Sequence, residues 1–282
     1  MAGCNQTTAF ARFKQLHDRP GAFVIANPWD AGSARILTAL GYEALATTSA
    51  GFAFSIGRRD SVNGLTRDEV LANARAILEA THLPVSADLE GGFGASPEAC
   101  AATIRAAAAI GLAGGSIEDM TGDESKPIFE LGHAVERVAA AAEAARGLPF
   151  LLTARAENHL YGRPDLDDTI RRLQAFSKAG AHVLYAPGLP SLEAIRKVCA
   201  SVDKPVNVVM GLKGAPFSVA ALEAVGVKRI SVGGSFARAA LGALVRAARE
   251  VKDHGTFTYA ADALPDPEAS AFMRAAKITP GR

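Results

Sequence analysis

The chain has 282 residues, 49 % of them hydrophobic, and carries 30 basic and 29 acidic side chains for a formal net charge of +1. That balance excludes intrinsic disorder. With aromatic residues at only 6 % and not interleaved with basic clusters, it also lacks the electrostatic footprint of a nucleic-acid binder. The cysteines, Cys4, Cys100 and Cys199, are sparse, odd in number and without a CxxC pair, which points to a reducing compartment and not to a disulfide framework.

In chain order, the opening "MAGCNQTTAFARFKQLHDRPG" lacks the apolar core of a signal peptide. No uncharged apolar run approaches the roughly 20 residues of a membrane span. The expected location is the cytoplasm. Eight short apolar runs then follow: "AFVIAN" (22–27), "LATTSA" (45–50), "LPVSADLE" (83–90), "GGSIED" (114–119), "FLLTAR" (150–155), "HVLYAP" (182–187), "PVNVVM" (205–210) and "RISVGG" (229–234). They are apolar throughout and do not alternate, the pattern of strands buried on both faces in a parallel sheet.

Alanine-rich helical stretches separate these runs. Thr66-Arg67-Asp68-Glu69 reads as a capping box and Ser96-Pro97 as a capped start with proline in the first turn. The stretch 166–180 carries Leu166, Ile170 and Leu173 on one stripe and stops at Gly180. No Pro-, Gly- or Ser-rich linker divides the chain. Eight strand–helix units of this total length, close to the typical ~250 residues, predict one (β/α)8 barrel of the TIM type over residues 1–255. The tail 256–282 is broken by Pro265 and Pro267 and has no core of its own, so it is expected to pack on a neighbouring subunit.

In such a barrel the chemistry sits at the C-terminal strand ends. The polar groups falling there are Thr47, Thr48 and Ser49 on the second run, Asp88 and Glu90 on the third, Glu118 and Asp119 on the fourth, and Arg155 and Glu157 on the fifth. Asp88 and Glu90, two apart on a strand, would share a face and repel unless a positive charge lies between them. Acidic groups from adjacent strands, with no His or Cys among them, suit Mg2+ or Mn2+ rather than zinc. The plainer alternatives are a helix cap, or a salt bridge to Arg58 or Arg59. Arg155 at the end of an apolar strand needs a buried partner, either Glu118 or Glu157 or the carboxylate of a ligand. Glycines 91, 92 and 94 allow a tight turn or close approach to a ligand, and "SVGGSF" (231–236) is a weak phosphate-site pattern.

These motifs together resemble the isocitrate lyase/phosphoenolpyruvate mutase superfamily over roughly residues 10–250. "ADLEGGFG" is similar to its D-x-D/E-x-G-[FY]-G signature, "GGSIED" to its I-E-D motif and "TAR" to its A-R. "TTSAGFAFSIGRRDS" is similar to the loop that binds a substrate carboxylate and ends in a functional aspartate. The resemblance implies a barrel whose eighth helix is exchanged with a neighbouring subunit, giving a homodimer or homotetramer. It implies Mg2+ (or Mn2+) and a small 2-oxocarboxylate substrate. By position, Asp88, Glu90 and Glu118 would hold the metal and its waters. Arg155 would hold the substrate carboxylate or an enolate oxygen, Thr48 and Ser49 the far carboxylate, and Asp60 would orient metal waters or substrate. Asn207, on the seventh run, is a further candidate for substrate contact.

The departures narrow the chemistry. The lyases' K-K-C-G-H loop is replaced by "MTGDESKPIFE" (120–130), without cysteine or histidine, and their glutamate after the sixth strand is absent from "LYAPGLP". The phosphonomutases' Asn-Ser gating loop is not reproduced either. The expected activity is a Mg2+-dependent lyase or decarboxylase acting on an oxaloacetate-like 2-oxocarboxylate through an enolate. Its alternatives are a 2-methylisocitrate-type lyase, a phosphonomutase, and a 2-oxoacid-binding protein without catalysis. A Schiff-base aldolase would need a lysine inside the barrel, and Lys204 and Lys213 fall at unsuitable positions.

Overall fold

The structure, a computed structural model, describes residues 6–61, 64–212, 214 and 216–274. Its elements are α1 (Gln6–Asp18), β1 (Phe23–Ile25), α2 (Ala31–Ala39), β2 (Leu45–Ala46), α3 (Ser49–Ser55), α4 (Arg67–Ala80), β3 (Val85–Asp88), α5 (Pro97–Ala109), β4 (Gly114–Glu118), α6 (Leu131–Ala145), β5 (Leu151–Arg155), α7 (Leu166–Lys178), β6 (Val183–Tyr185), α8 (Leu192–Ser201), β7 (Val206–Val209), α9 (Val219–Ala224), β8 (Arg229–Ser231), α10 (Ser235–His254) and α11 (Asp266–Phe272). All eight expected strands form, and every pairing is parallel, in the order β1-β8-β7-β6-β5-β4-β3-β2. A parallel bridge from Ala26 to Leu45 brings β1 and β2 together and closes the ring.

Local signals set the helices. Thr66 and Glu69 complete the capping box of α4, and the Ser96 hydroxyl caps α5 ahead of Pro97. α7 stops before Gly180, whose φ of 105° lies in the left-handed region. Two expected boundaries are corrected. The run 45–50 is strand only at Leu45–Ala46, because the Thr48 hydroxyl accepts a bond from the Gly51 amide and starts α3. The run 83–90 is strand only to Asp88. Glu90 lies beyond it at φ 48°, so strand alternation does not decide where its side chain points.

The main core fills the space between sheet and helices, while α1 closes the N-terminal end of the barrel. Phe13 is fully buried there, and burial of a side chain of that size contributes about 1.5–3 kcal/mol. His17, one helical turn on, packs edge-on against Phe13 and Phe23. Its Nδ1 faces the Phe13 carbonyl at 2.8 Å, and the Arg229 guanidinium stands 3.5 Å from its Nε2. Burial, reinforced by Arg229, lowers its pKa from 6.5 to about 3.

The unfolded chain therefore binds a proton here below pH 6.5 that the folded chain refuses, and stability falls as pH drops from 6.5 towards about 3. Between about pH 7.5 and about pH 5.5 the loss carried by His17 should be ~1.4 kcal/mol. Urea denaturation of the wild type and of His17→Gln at both pH values checks it. The pH-dependent loss should be smaller in the variant by that amount, and equal losses in the two proteins would contradict the assignment.

The 20-residue α10 lies largely off its own barrel. Ala237 is its one buried residue, while Leu241, Leu244 and Val245, at i, i+3 and i+4, form an exposed apolar stripe. The following segment returns to the same chain, where Arg35 donates to the Met273 carbonyl at 3.0 Å and α11 rests on α2. No helix among the described residues is long and apolar enough to cross a membrane.

Candidate active site

Parallel register brings the acidic strand ends together. Glu118 lies opposite Arg155 across the β4–β5 pair, and Arg155 lies opposite Tyr185 across β5–β6. The Arg155 fork is engaged through Nε and Nη1. Its Nη1 lies 2.6 Å from Glu118 and 3.3 Å from Asp88, its Nε lies 2.7 Å from Glu157, and its guanidinium sits over the Tyr185 ring at 4.7 Å. Both partners proposed for Arg155 from sequence are thus used at once. Arg58 bonds Glu69 instead, which removes it as a partner for Asp88 or Glu90.

Asp88 is held from several sides. Its amide donates to the Thr47 hydroxyl (3.0 Å), and its Oδ2 accepts from the Ser49 hydroxyl (3.0 Å) and amide (3.4 Å). Glu157 is placed by its own amide, which donates to Asp119 at 2.8 Å, and Asp119 in turn pairs with Arg172 at 3.0 Å. Asp119 is therefore part of the wall that fixes Glu157.

A cavity of ≈440 Å³ opens above this cluster, lined in part by Ser49, Asp60, Glu90, Glu118, Met120 and Tyr161, with Asp123 and Glu124 from the 120–130 loop. Five carboxylates (Asp60, Asp88, Glu90, Glu118 and Glu157) share the neighbourhood of one guanidinium, and their electrostatics record the excess. Burial, then the charges of Asp88 and Asp60, push Glu90 up to about 8. Burial raises Glu118 well above the ordinary range and raises Glu157, with Arg155 opposing both. Desolvation, then Asp88, raises Asp60. Burial works against the charge on Arg155, but Glu118 and Glu157 override it and keep the guanidinium protonated.

Among the described residues, no three His, Cys, Asp or Glu side chains converge into a direct chelating group. Asp88, Glu90 and Glu118 surround the mouth without forming a cage, and the positive group between Asp88 and Glu118 is the Arg155 head. The donor chemistry still fits a hard divalent cation. Every candidate ligand is a carboxylate oxygen, one arginine leaves the charge unbalanced, and the cavity has room for the waters that Mg2+ retains.

The other expected site residues separate by depth. Ser49 and Asp60 line the cavity. Thr48 is buried with its hydroxyl spent on the cap of α3. Asn207 lies lower, beside a small ≈60 Å³ space inside the barrel. Its Nδ2 donates to Ser231 (3.1 Å) and its Oδ1 accepts from Arg229 Nε (2.8 Å). In "SVGGSF", the Val232 and Gly233 amides donate to Asn27 Oδ1 and so are taken up within the protein. Lys204, at the start of β7, faces Asp203, and Lys213 lies outside the described residues.

Sequence reasoning gave too little weight to Tyr161 and Tyr185. Tyr161, in the loop after β5, lines the cavity, and burial raises its pKa. Tyr185 carried a usable signal, as the last residue of a strand that pairs with the one ending in arginine.

A parallel (β/α)8 barrel with an acidic, arginine-centred mouth defines the class. The family model described as phosphoenolpyruvate phosphomutase matches residues 13–252, and the chain belongs to this family, within the phosphoenolpyruvate mutase/isocitrate lyase superfamily. It is similar to the crystal structure of a Burkholderia cenocepacia J2315 protein provisionally described as a lyase/mutase, at 54 % identity and a TM-score of 0.93, with 96 % of this chain and 97 % of that one covered. It is 31 % identical over 244 residues to an uncharacterised protein of Mycobacterium tuberculosis, covering 86 % of this chain and 89 % of the relative. It is also 30 % identical over 201 residues to 2-methylisocitrate lyase of Escherichia coli, covering 69 % and 67 %.

Proposed function

We propose that this protein is a Mg2+-dependent lyase that acts on a small, oxaloacetate-like 2-oxocarboxylate by breaking a carbon–carbon bond at C3, so that the electron pair passes to the 2-oxo group as an enolate. The observation that carries the reading is the largely buried guanidinium of Arg155, set among Asp88, Glu118 and Glu157, with Glu118 also lining the ≈440 Å³ cavity above. Asp88, Glu90 and Glu118 would hold the metal, in part through water. When bound, Mg2+ supplies Lewis acidity that draws electron density from the 2-oxo group.

The chain's own residues do the rest. Arg155, fixed by three carboxylates and the Tyr185 ring, presents its charge to the substrate's carboxylate end and to the oxygen on which negative charge develops. A preorganised donor of this kind contributes several kcal/mol to a transition state. In decarboxylation the bond from C3 to the departing carboxylate breaks, carbon dioxide leaves, and the electron pair moves towards the 2-oxo oxygen. C3 then takes a proton, and Tyr161, held in its protonated form, is the neutral donor lining the cavity. This route needs no acid during bond cleavage, which suits a loop without cysteine or histidine. Asp123 and Glu124 also reach the cavity and favour, as a second reading, a lyase of the 2-methylisocitrate type with a loop carboxylate in the thiol's place.

For assembly, the exposed stripe of α10 supports exchange of this helix with a second copy, in a homodimer or homotetramer.

The test is a substrate panel containing oxaloacetate, 2-methylisocitrate and phosphonopyruvate, assayed with Mg2+ and again after EDTA. Oxaloacetate turnover that disappears with EDTA and exceeds the rate with Mg2+ alone is the expected result. Oxalate binding without turnover of any panel member would replace the lyase by a binding protein.

A further inference from the structure

Arg137 is 1 % exposed, on the inner face of α6 with Ala134, Val138 and Ala141. No carboxylate lies within ion-pair distance of it among the described residues. A cation buried without an anion is costly, so what it touches matters. Its Nη1 donates to the Gly94 and Ala95 carbonyls, both at 3.0 Å, and its Nη2 donates to the Gly91 carbonyl and makes a long 3.5 Å contact with the Glu118 carbonyl. Its guanidinium also lies 4.3 Å from the centre of the Phe129 ring. A single fork thus spans the loop that follows Glu90 and reaches the strand end that carries Glu118.

That loop needs holding. Glu90 (φ 48°) and Phe93 (φ 58°) both adopt left-handed backbone, which is unfavourable for residues with side chains and persists only where the surroundings impose it. The loop is also pressed against α5. A Cβ added at Gly92 would stand 2.8 Å from the Cys100 sulfur, and one at Gly94 would stand 2.6 Å from the Ala99 methyl.

We propose that Arg137 is a positioning residue that clamps the 91–95 loop against the end of β4 and so sets the placement of Glu90 relative to Glu118. It touches neither substrate nor metal and acts through backbone carbonyls alone. The link to metal holding rests on the magnesium reading above, whereas the clamp itself does not.

Arg137→Lys and Arg137→Met test it, with circular dichroism to confirm folding. In metal-free protein, hydrogen exchange at residues 91–95 is expected to speed up about tenfold while the rest of the barrel keeps its protection, a pattern that general destabilisation would not give. Mn2+ affinity, read by electron paramagnetic resonance, is expected to fall about 10–100-fold, as for other groups that orient ligands without touching the metal. Lysine should recover part of both effects, since it keeps the charge and loses the fork. Should the methionine variant not fold, the lysine variant decides. Unchanged exchange in a folded variant would overturn the clamp, and altered exchange with unaltered Mn2+ affinity would overturn its role at the site. If wild-type protein itself binds no Mn2+, the magnesium reading fails, and local exchange alone judges Arg137.

Discussion

Replacement of Arg155 by methionine is expected to remove turnover, with kcat/KM down about 1,000-fold, and to lower stability by about 3–5 kcal/mol. Both effects come from one set of contacts. Arg155 is the shared counter-charge of Glu118, Glu157 and Asp88, and the first two are almost fully buried. Without it these carboxylates face a desolvated environment alone, and their already raised pKa values mean that they would take up protons in place of the lost charge. Denaturant titrations should therefore show a variant whose stability deficit grows as pH rises above the ordinary carboxylate range, where the unfolded chain releases protons that the buried carboxylates retain. Arg155→Lys separates the two effects. A lysine supplies one point charge and cannot bond Glu118 and Glu157 through separate nitrogens, so it should restore much of the stability and little of the activity. Near-normal kcat/KM in the lysine variant would remove the bidentate fork from the mechanism.

Removal of the Asp88 carboxylate should do the opposite to stability while also silencing the enzyme. In Asp88→Ala, turnover is expected to drop about 1,000-fold, and the rise in melting temperature that Mg2+ gives the wild type should be lost, because a ligand stabilises only the state that binds it. Yet the metal-free variant should melt within about 1 kcal/mol of the wild type, or above it, because the site carries more negative charge than Arg155 balances. Asp88 is among the charges that push Glu90 and Asp60 upward, so its removal relieves repulsion even as it frees Ser49. Thermal melts of both proteins with and without Mg2+ measure this directly. A variant that still gains full stabilisation from Mg2+ would exclude Asp88 from the metal's surroundings, and one that is severely unfolded would show that its role is structural.

These expectations point to a division of labour at the mouth. Glu157, Asp119 and Arg172 form a buried chain behind Arg155 that fixes it from the strand-five side. Asp60, Glu90, Ser49 and Tyr161 face the cavity. The 120–130 loop is tied into a small hairpin by the Met120–Ile128 bridge and by the Thr121 amide bonded to Pro127, with Asp123 and Glu124 carried out towards the cavity between them. Its chemistry is acidic where the lyase pattern has thiol and imidazole, and that difference is where substrate choice should be sought.

From the sequence by itself came the barrel, because eight apolar runs separated by helical stretches fit a parallel sheet wrapped by helices, and the helix starts at Thr66 and Ser96 follow from local capping chemistry. The same logic located the acidic strand ends and Arg155, since strand order alone places them at one mouth. What it could not decide was which groups meet. That Arg155 takes Glu118, Glu157 and Asp88 together, that Asn207 is consumed inside the barrel by Arg229 and Ser231, that Glu90 leaves the strand at a left-handed turn, and that Arg137 reaches across from α6 to hold that turn are all matters of three-dimensional packing. Spacing along a chain encodes the period of an element and its termini. The pairing of buried charges depends on distances between residues far apart in sequence, and those distances exist only once the ring has closed.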